Sequence, residues 1–175
     1  MASKIYQYSA ALAAVAGLPA AALAADLSVT VTVPQLQVAE YHKPYVAVWL
    51  ENADGGVAAN LSVWYDAKMR NAEGTKWLKD MRQWWRRTGR DLTLPIDGVT
   101  SPTRPVGKHQ LSFTEGANPF AKLPPGEYKL VVEAAREVGG REVVTVPFKW
   151  PAAKAEQLSA KGSSELGEIS VELKP

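Results

Sequence analysis

The chain reads as a mainly β protein, an antiparallel β-sandwich of immunoglobulin- or fibronectin-like kind with one inserted amphipathic helix. Three observations predict it. Apolar and polar residues alternate with period two in several short runs. Turn residues separate those runs at close spacing. A single segment switches to helical period.

The first 24 residues stand apart. Lys4 gives a positive start, an alanine-rich apolar stretch follows, and Ala22-Leu23-Ala24 supplies a small-x-small cleavage site. This is the pattern of a secretory signal peptide, with Pro19 and Gly17 arguing against a membrane span. One sandwich domain is expected over residues 25–175.

The strands follow in order. DLSVTVTVP alternates Leu27, Val29, Val31 and Val33 with hydroxyl residues, as a half-buried strand does. PYVAVWLEN is almost continuously apolar and suits a central strand. Gly55-Gly56 marks a turn, after which VAANLSVWYD reads as the hairpin partner, with Leu61, Val63 and Tyr65 on one side. HQLSFTE, GEYKLVVEAAREV, REVVTVPFKW and GEISVELKP supply four more, and Val138-Gly139-Gly140 joins two of them as a tight hairpin. The segment PAAKAEQLSAKGSSELGE is expected to cross the surface between the last two strands.

The exception to period two is GTKWLKDMRQWWRRTG. Trp77, Leu78, Met81, Trp84 and Trp85 share one face of a helix, which Thr75 would cap and Gly89 would stop. Lys76, Lys79, Arg82, Arg86 and Arg87 take much of the opposite face. The tryptophans fit core packing. The arginines make a phosphate or carboxylate partner credible.

Composition excludes several chemistries. The 175 residues contain no cysteine, so there are no disulfides, thiol nucleophiles or thiolate metal sites. Two histidines, His42 and His109, are too few for a multi-histidine centre, and each reads as a surface or hydrogen-bonded residue. A formal net charge of +2 does not point to nucleic acid. Glu133 and Glu137 are candidates for an acid pair, but Arg136 and Arg141 make ion pairs the better reading. No nucleophile elbow, phosphate-cradling loop or dinucleotide fingerprint is present.

PIDGVTSPTRPVGKHQL, residues 95–111, carries three prolines, two glycines and three hydroxyl residues between apolar runs. Asp97-Gly98 is a natural turn. Pro102 and Pro105 hold the chain extended, and Thr100, Ser101 and Thr103 offer hydroxyls beside Arg104. An extended, exposed hydroxyl is what a modifying enzyme needs.

PYVAVWLENADG, LSVWY, KWLKDMRQWW, DGVTSPTRPVG, GEYKLVVEAAREVGG and FKWP, in this order, resemble the bacterial periplasmic family known as domain of unknown function 2271. Members commonly carry Asp-x-x-Ser/Thr-Gly-Ala-Thr-Arg-Pro-x-Gly, similar to the acceptor motif of proteins modified by periplasmic FAD:protein FMN transferases. The resemblance implies covalent FMN on Thr103. Asp97, Thr100, Arg104, Pro105 and Gly107 match the rest of the motif, and Arg82 and Arg86 are expected to help neutralise the phosphate. It also implies an exported redox carrier working with a PepSY-type membrane partner. Two positions depart: Ser101 stands where glycine is usual and Pro102 where alanine is usual. Serine lacks the backbone freedom of glycine, and proline removes an amide donor. A non-catalytic periplasmic binding or structural module therefore stays open as the other reading.

Overall fold

In the computed structural model, which describes residues 25–175, nine strands form two sheets that face one another. The strands are β1 Asp26–Val33, β2 Tyr45–Asn52, β3 Val57–Trp64, β4 Thr100–Ser101, β5 Gly107–Thr114, β6 Gly126–Ala135, β7 Arg141–Trp150, β8 Glu156–Lys161 and β9 Glu168–Lys174. One sheet has the order β5-β1-β9-β8, the other β4-β3-β2-β6-β7. All pairings are antiparallel except β3 with β4, which is parallel. The leader expected over residues 1–24 lies outside the described residues.

The period-two pattern does what it promised in β1. Leu27, Val29, Val31 and Val33 are buried, and the residues between them are half-buried. They meet Val48, Leu130, Val132, Val146 and Trp150 from the facing sheet in the main core. Strand β2 is buried along nearly its whole length because it is central and both its faces are covered. The outer face of its sheet carries a second core of Trp49, Val63, Tyr65 and Val131 beneath Leu78, Met81 and Trp84.

Five expectations need correction. The helix expected near residues 75–89 is a 3-10 segment, Arg70–Asp80, followed by a six-residue helix, α1 Arg82–Arg87. Thr75 does not cap it; its hydroxyl donates to the Ala72 carbonyl at 2.7 Å. Trp77 is not on the packed face and stands 47% exposed, because a 3-10 turn places successive residues differently from an α-turn. Leu61 does not share a side with Val63 and Tyr65. The β2–β3 register slips between Val48 and Trp49, and the bulge turns Leu61 into the main core while Val63 and Tyr65 face outward. Finally, the expected surface crossing contains a full strand, β8, and the sheet gains the parallel strand β4, so neither sheet is as simple as seven antiparallel strands.

Polar groups clamp the helical cap to its sheet. Glu133, fully buried on β6, accepts the backbone N–H groups of Gln83 at 3.0 Å and Trp84 at 2.6 Å, and pairs with Arg141. It thereby satisfies free donors at the start of α1. Asn60 on β3 accepts from Trp84 Nε1 and donates to Thr88 Oγ1. Arg87 reaches the Gly55 carbonyl at 2.9 Å and lies 3.7 Å from buried Glu51. Gly89 is required by contact: a Cβ there would sit 2.5 Å from the Trp84 ring.

Candidate functional site

Residues 92–106 run from the cap to the sandwich edge. Leu92, Leu94 and Ile96 pack against the outer core. The chain then turns at Asp97-Gly98, where Gly98 has a φ of +74° and no room for a side chain beside Asn118. Asn118 Nδ2 donates to the Asp97 carbonyl at 3.1 Å, while the Asp97 side chain stays exposed. Val99 is buried, and its carbonyl accepts from Val63 at 2.8 Å; the Ser101 carbonyl accepts from Tyr65 at 3.1 Å. These bonds fix β4 along the end of β3. From Ser101 the chain crosses to β5 on the other sheet, so Pro102 to Val106 bridge the two sheets at their common edge.

The three hydroxyls of this stretch are not equivalent. Thr100 Oγ1 accepts the Ile96 N–H at 2.9 Å. Ser101 Oγ is buried and has no partner among the described residues. Thr103 is half-buried in an extended segment between exposed Pro102 and half-buried Arg104, and no side-chain bond ties it among the described residues. Of the three, it is the hydroxyl left both reachable and uncommitted.

Arg104 folds inward. Its guanidinium carbon lies 4.5 Å from the ring centroid of Trp64, a cation–π contact at the mouth of the main core. Trp64 is itself held, donating from Nε1 to Ser62 Oγ at 3.0 Å, and Ser62 Oγ reaches the Val99 carbonyl at 3.3 Å. His109 on β5 packs edge-on to the same ring at 5.6 Å and bonds the Pro105 carbonyl at 2.7 Å through Nε2. Trp64 and His109, each from a different sheet, thus hold the bridging loop. Partial burial pulls the Arg104 pKa below its usual value. Among the described residues no carboxylate lies within ion-pair distance of it.

The other expected site residues lie elsewhere. Arg82 lines a cleft with Arg136 and Arg141 of the β6–β7 hairpin, and Arg86 is exposed one turn further on, donating from Nε to the Arg82 carbonyl. Strands β3 and β2 separate β4 from β6, about 14 Å at ~4.8 Å per strand. Asp97 and Thr100 therefore lie in the same segment as Thr103 and Arg104, in the turn that precedes them, while Arg82 and Arg86 belong to the cap. Glu133 and Glu137 are not an acid pair. Glu133 is the buried clamp of α1, whereas Glu137 is exposed and lies 3.6 Å from His42. A hollow of about 480 Å³ sits at the other end of β6 and β7 around Tyr128, Lys129 and Lys149, away from the bridging loop.

A family model described as "predicted periplasmic protein (DUF2271)" matches residues 26–168. The chain belongs to that family. The periplasmic location expected from the leader agrees with the DUF2271 description. No curated protein and no solved structure matches the chain. Among the described residues of this DUF2271 protein, no helix is long and apolar enough to cross a membrane, and no group of three or more metal-ligating side chains is gathered. Sequence reasoning missed the Trp64–Arg104–His109 arrangement. Its only trace is an alternation that buries Trp64 at a strand end, and nothing in the pattern says which residue crosses over to cover it.

Proposed function

We propose that this DUF2271 protein is an exported redox carrier with FMN esterified to Thr103. The observation that carries the reading is the pairing of one uncommitted hydroxyl with one unpaired, half-buried cation next to it in the chain. A half-buried guanidinium without an anion is costly, and a phosphoester on the neighbouring residue would supply that anion. Thr100 and Ser101 are poor acceptors here, one engaged and the other inaccessible. Thr103 would hold the group and Arg104 would neutralise its phosphate. Asp97 and Thr100 would keep the preceding turn in shape. Pro102 contributes no amide to the phosphate and holds the chain extended instead.

When bound, the flavin would take up and release electrons, and the protein's own side chains would position it and tune its potential. Attachment would come from an FAD:protein FMN transferase. The Thr103 hydroxyl would displace AMP from FAD, losing its proton as the phosphoester forms and the diphosphate bond breaks. Electrons would pass to or from a PepSY-type membrane protein. The immunoglobulin-like kind of the sandwich belongs to the same reading, supported by two facing, mostly antiparallel sheets. The alternative is a non-catalytic binding or structural module. Ser101 and Pro102, where the acceptor motif has glycine and alanine, favour it.

Intact mass spectrometry of the mature chain, coexpressed in a periplasm with an active transferase, tests the proposal. The expected result is a gain equal to FMN less water, absent in Thr103→Ala. An unmodified mass beside a transferase that labels a control acceptor would leave the binding module as the function.

A further inference from the structure

A second region combines features that the flavin reading does not use. The cleft of about 330 Å³ between the cap and the β6–β7 hairpin is lined by Asp80, Arg82, Arg136, Gly139 and Arg141. Next to it lies a smaller hollow lined by Tyr45, Met69 and Trp77, and the two share Asp80 and Ala135. Trp77 and Met69 are exposed, 47% and 38%, whereas Trp85 of the same cap is half-buried. Exposed tryptophan beside exposed methionine is a poor use of apolar surface unless something flat covers it.

The arginines are only partly spent. Arg136 is 9% exposed and gives Nε and Nη2 to Glu165 at 2.9 and 3.1 Å, but its Nη1 is buried without a partner among the described residues. Arg141 gives Nε to Glu133, and Arg82 is exposed with no carboxylate of the described residues within ion-pair distance. Gly139 lets the hairpin close onto Arg136; a Cβ there would sit 2.4 Å from the guanidinium carbon. The carboxylates that balance Arg136 and Arg141 are buried, at 5% and 0% exposure. A ligand in the cleft would therefore meet guanidinium groups first, with Asp80 between the cations and the aromatic shelf, and Lys43 and the exposed Glu137 also lining the hollow beside Trp77.

We propose that this is a second binding site, for a planar aromatic ring joined through a hydroxylated linker to a phosphate: the chemistry of a nucleoside monophosphate. The ring stacks on Trp77 beside Met69. The phosphate pairs with Arg82 and Arg141, whose planar forks match it. Asp80 accepts from the linker hydroxyls. The site and the Thr103 attachment are independent, and either can fail alone.

Isothermal titration of the mature, unmodified protein with AMP, adenosine and inorganic phosphate tests this. Trp77→Ala and Arg82→Gln are the variants, since both side chains are exposed and clamp nothing. AMP is expected to bind saturably, with adenosine and phosphate each at least about tenfold weaker. Each variant should weaken AMP by a similar factor while leaving the thermal midpoint unchanged. Failure of AMP to bind overturns the proposal. So does phosphate binding as tightly as AMP with Trp77→Ala silent, which leaves a plain anion site, or adenosine binding as tightly with Arg82→Gln silent, which leaves an apolar patch.

Discussion

Thr100, Ser101 and Thr103 lie within four residues and differ in what their hydroxyls can do. Composition and spacing could place all three on an extended segment but only the motif resemblance favoured Thr103, because the physical ranking depends on a turn that closes back onto Ile96 and on which hydroxyl is buried. Arg104 was legible as the cation beside an acceptor. Its inward fold over Trp64 was not, since that ring arrives from a strand about forty residues earlier. Removing the contact should be mild: Arg104→Gln is expected to lower unfolding stability by about 1 kcal/mol in urea titration. Glu142 offers a sharper test. Burial alone would raise its pKa, but hydrogen bonds from the N–H groups of Ser163 and Leu166, the Ser163 hydroxyl and the Ser164 N–H outweigh it, lowering the pKa from 4.5 to about 2. A depressed carboxylate pKa stabilises the fold above the unfolded value and loses that contribution as pH falls from 4.5 towards 2. Glu142→Gln should therefore be less stable than the parent at neutral pH, with the gap closing across that window. Urea midpoints that stay equally far apart at about pH 3 and pH 7 would refute the assignment.

At the scale of elements, the strands with unbroken alternation were readable and the cap was not. Helical spacing correctly gathered Leu78, Met81 and Trp84, but a short cap laid across β3, β2 and β6 is shaped by its anchors rather than by its own period. Glu133 takes the first free amides of α1, Asn60 holds Trp84, and the chain has to reach both, so the backbone tightens to 3-10 before the short helix. Strand β8 was missed because its inward residues, Leu158 and Ala160, are only two and half-buried, and its other positions are polar. Two substitutions measure the cap. Glu133→Gln leaves Arg141 without its buried partner and should cost about 3 kcal/mol, read as a lower urea midpoint. Gly89→Ala drives a methyl group into the Trp84 ring and should cost about 1–3 kcal/mol, with a shift in tryptophan emission as the ring moves. A silent Gly89→Ala would mean that the ring and the turn are not packed as described.

The whole molecule places two cores on either side of one sheet. The inter-sheet core holds the sandwich, and the outer core holds the cap to it. The general class was legible, because about seven strand-like runs at short spacing have few other solutions. The division of labour between the two cores was not, because it rests on the bulge at Leu61 and on carboxylates buried beneath the cap. Strand β4 belongs fully to neither. It is two residues long, pairs on one side only, and is bound to β3 chiefly through the amides of Val63 and Tyr65. Such an edge opens at a small fraction of the global unfolding free energy. Hydrogen exchange should find the Val63 and Tyr65 amides far less protected than the central amides of β2, and equal protection would show that β4 stays shut. If it opens, the protein carries a latch. Residues 100–104 can lift away as a short free ribbon while both cores stay closed, so that another enzyme's active site could grip Thr103 without melting the fold, and Arg104 over Trp64 would draw the ribbon home again.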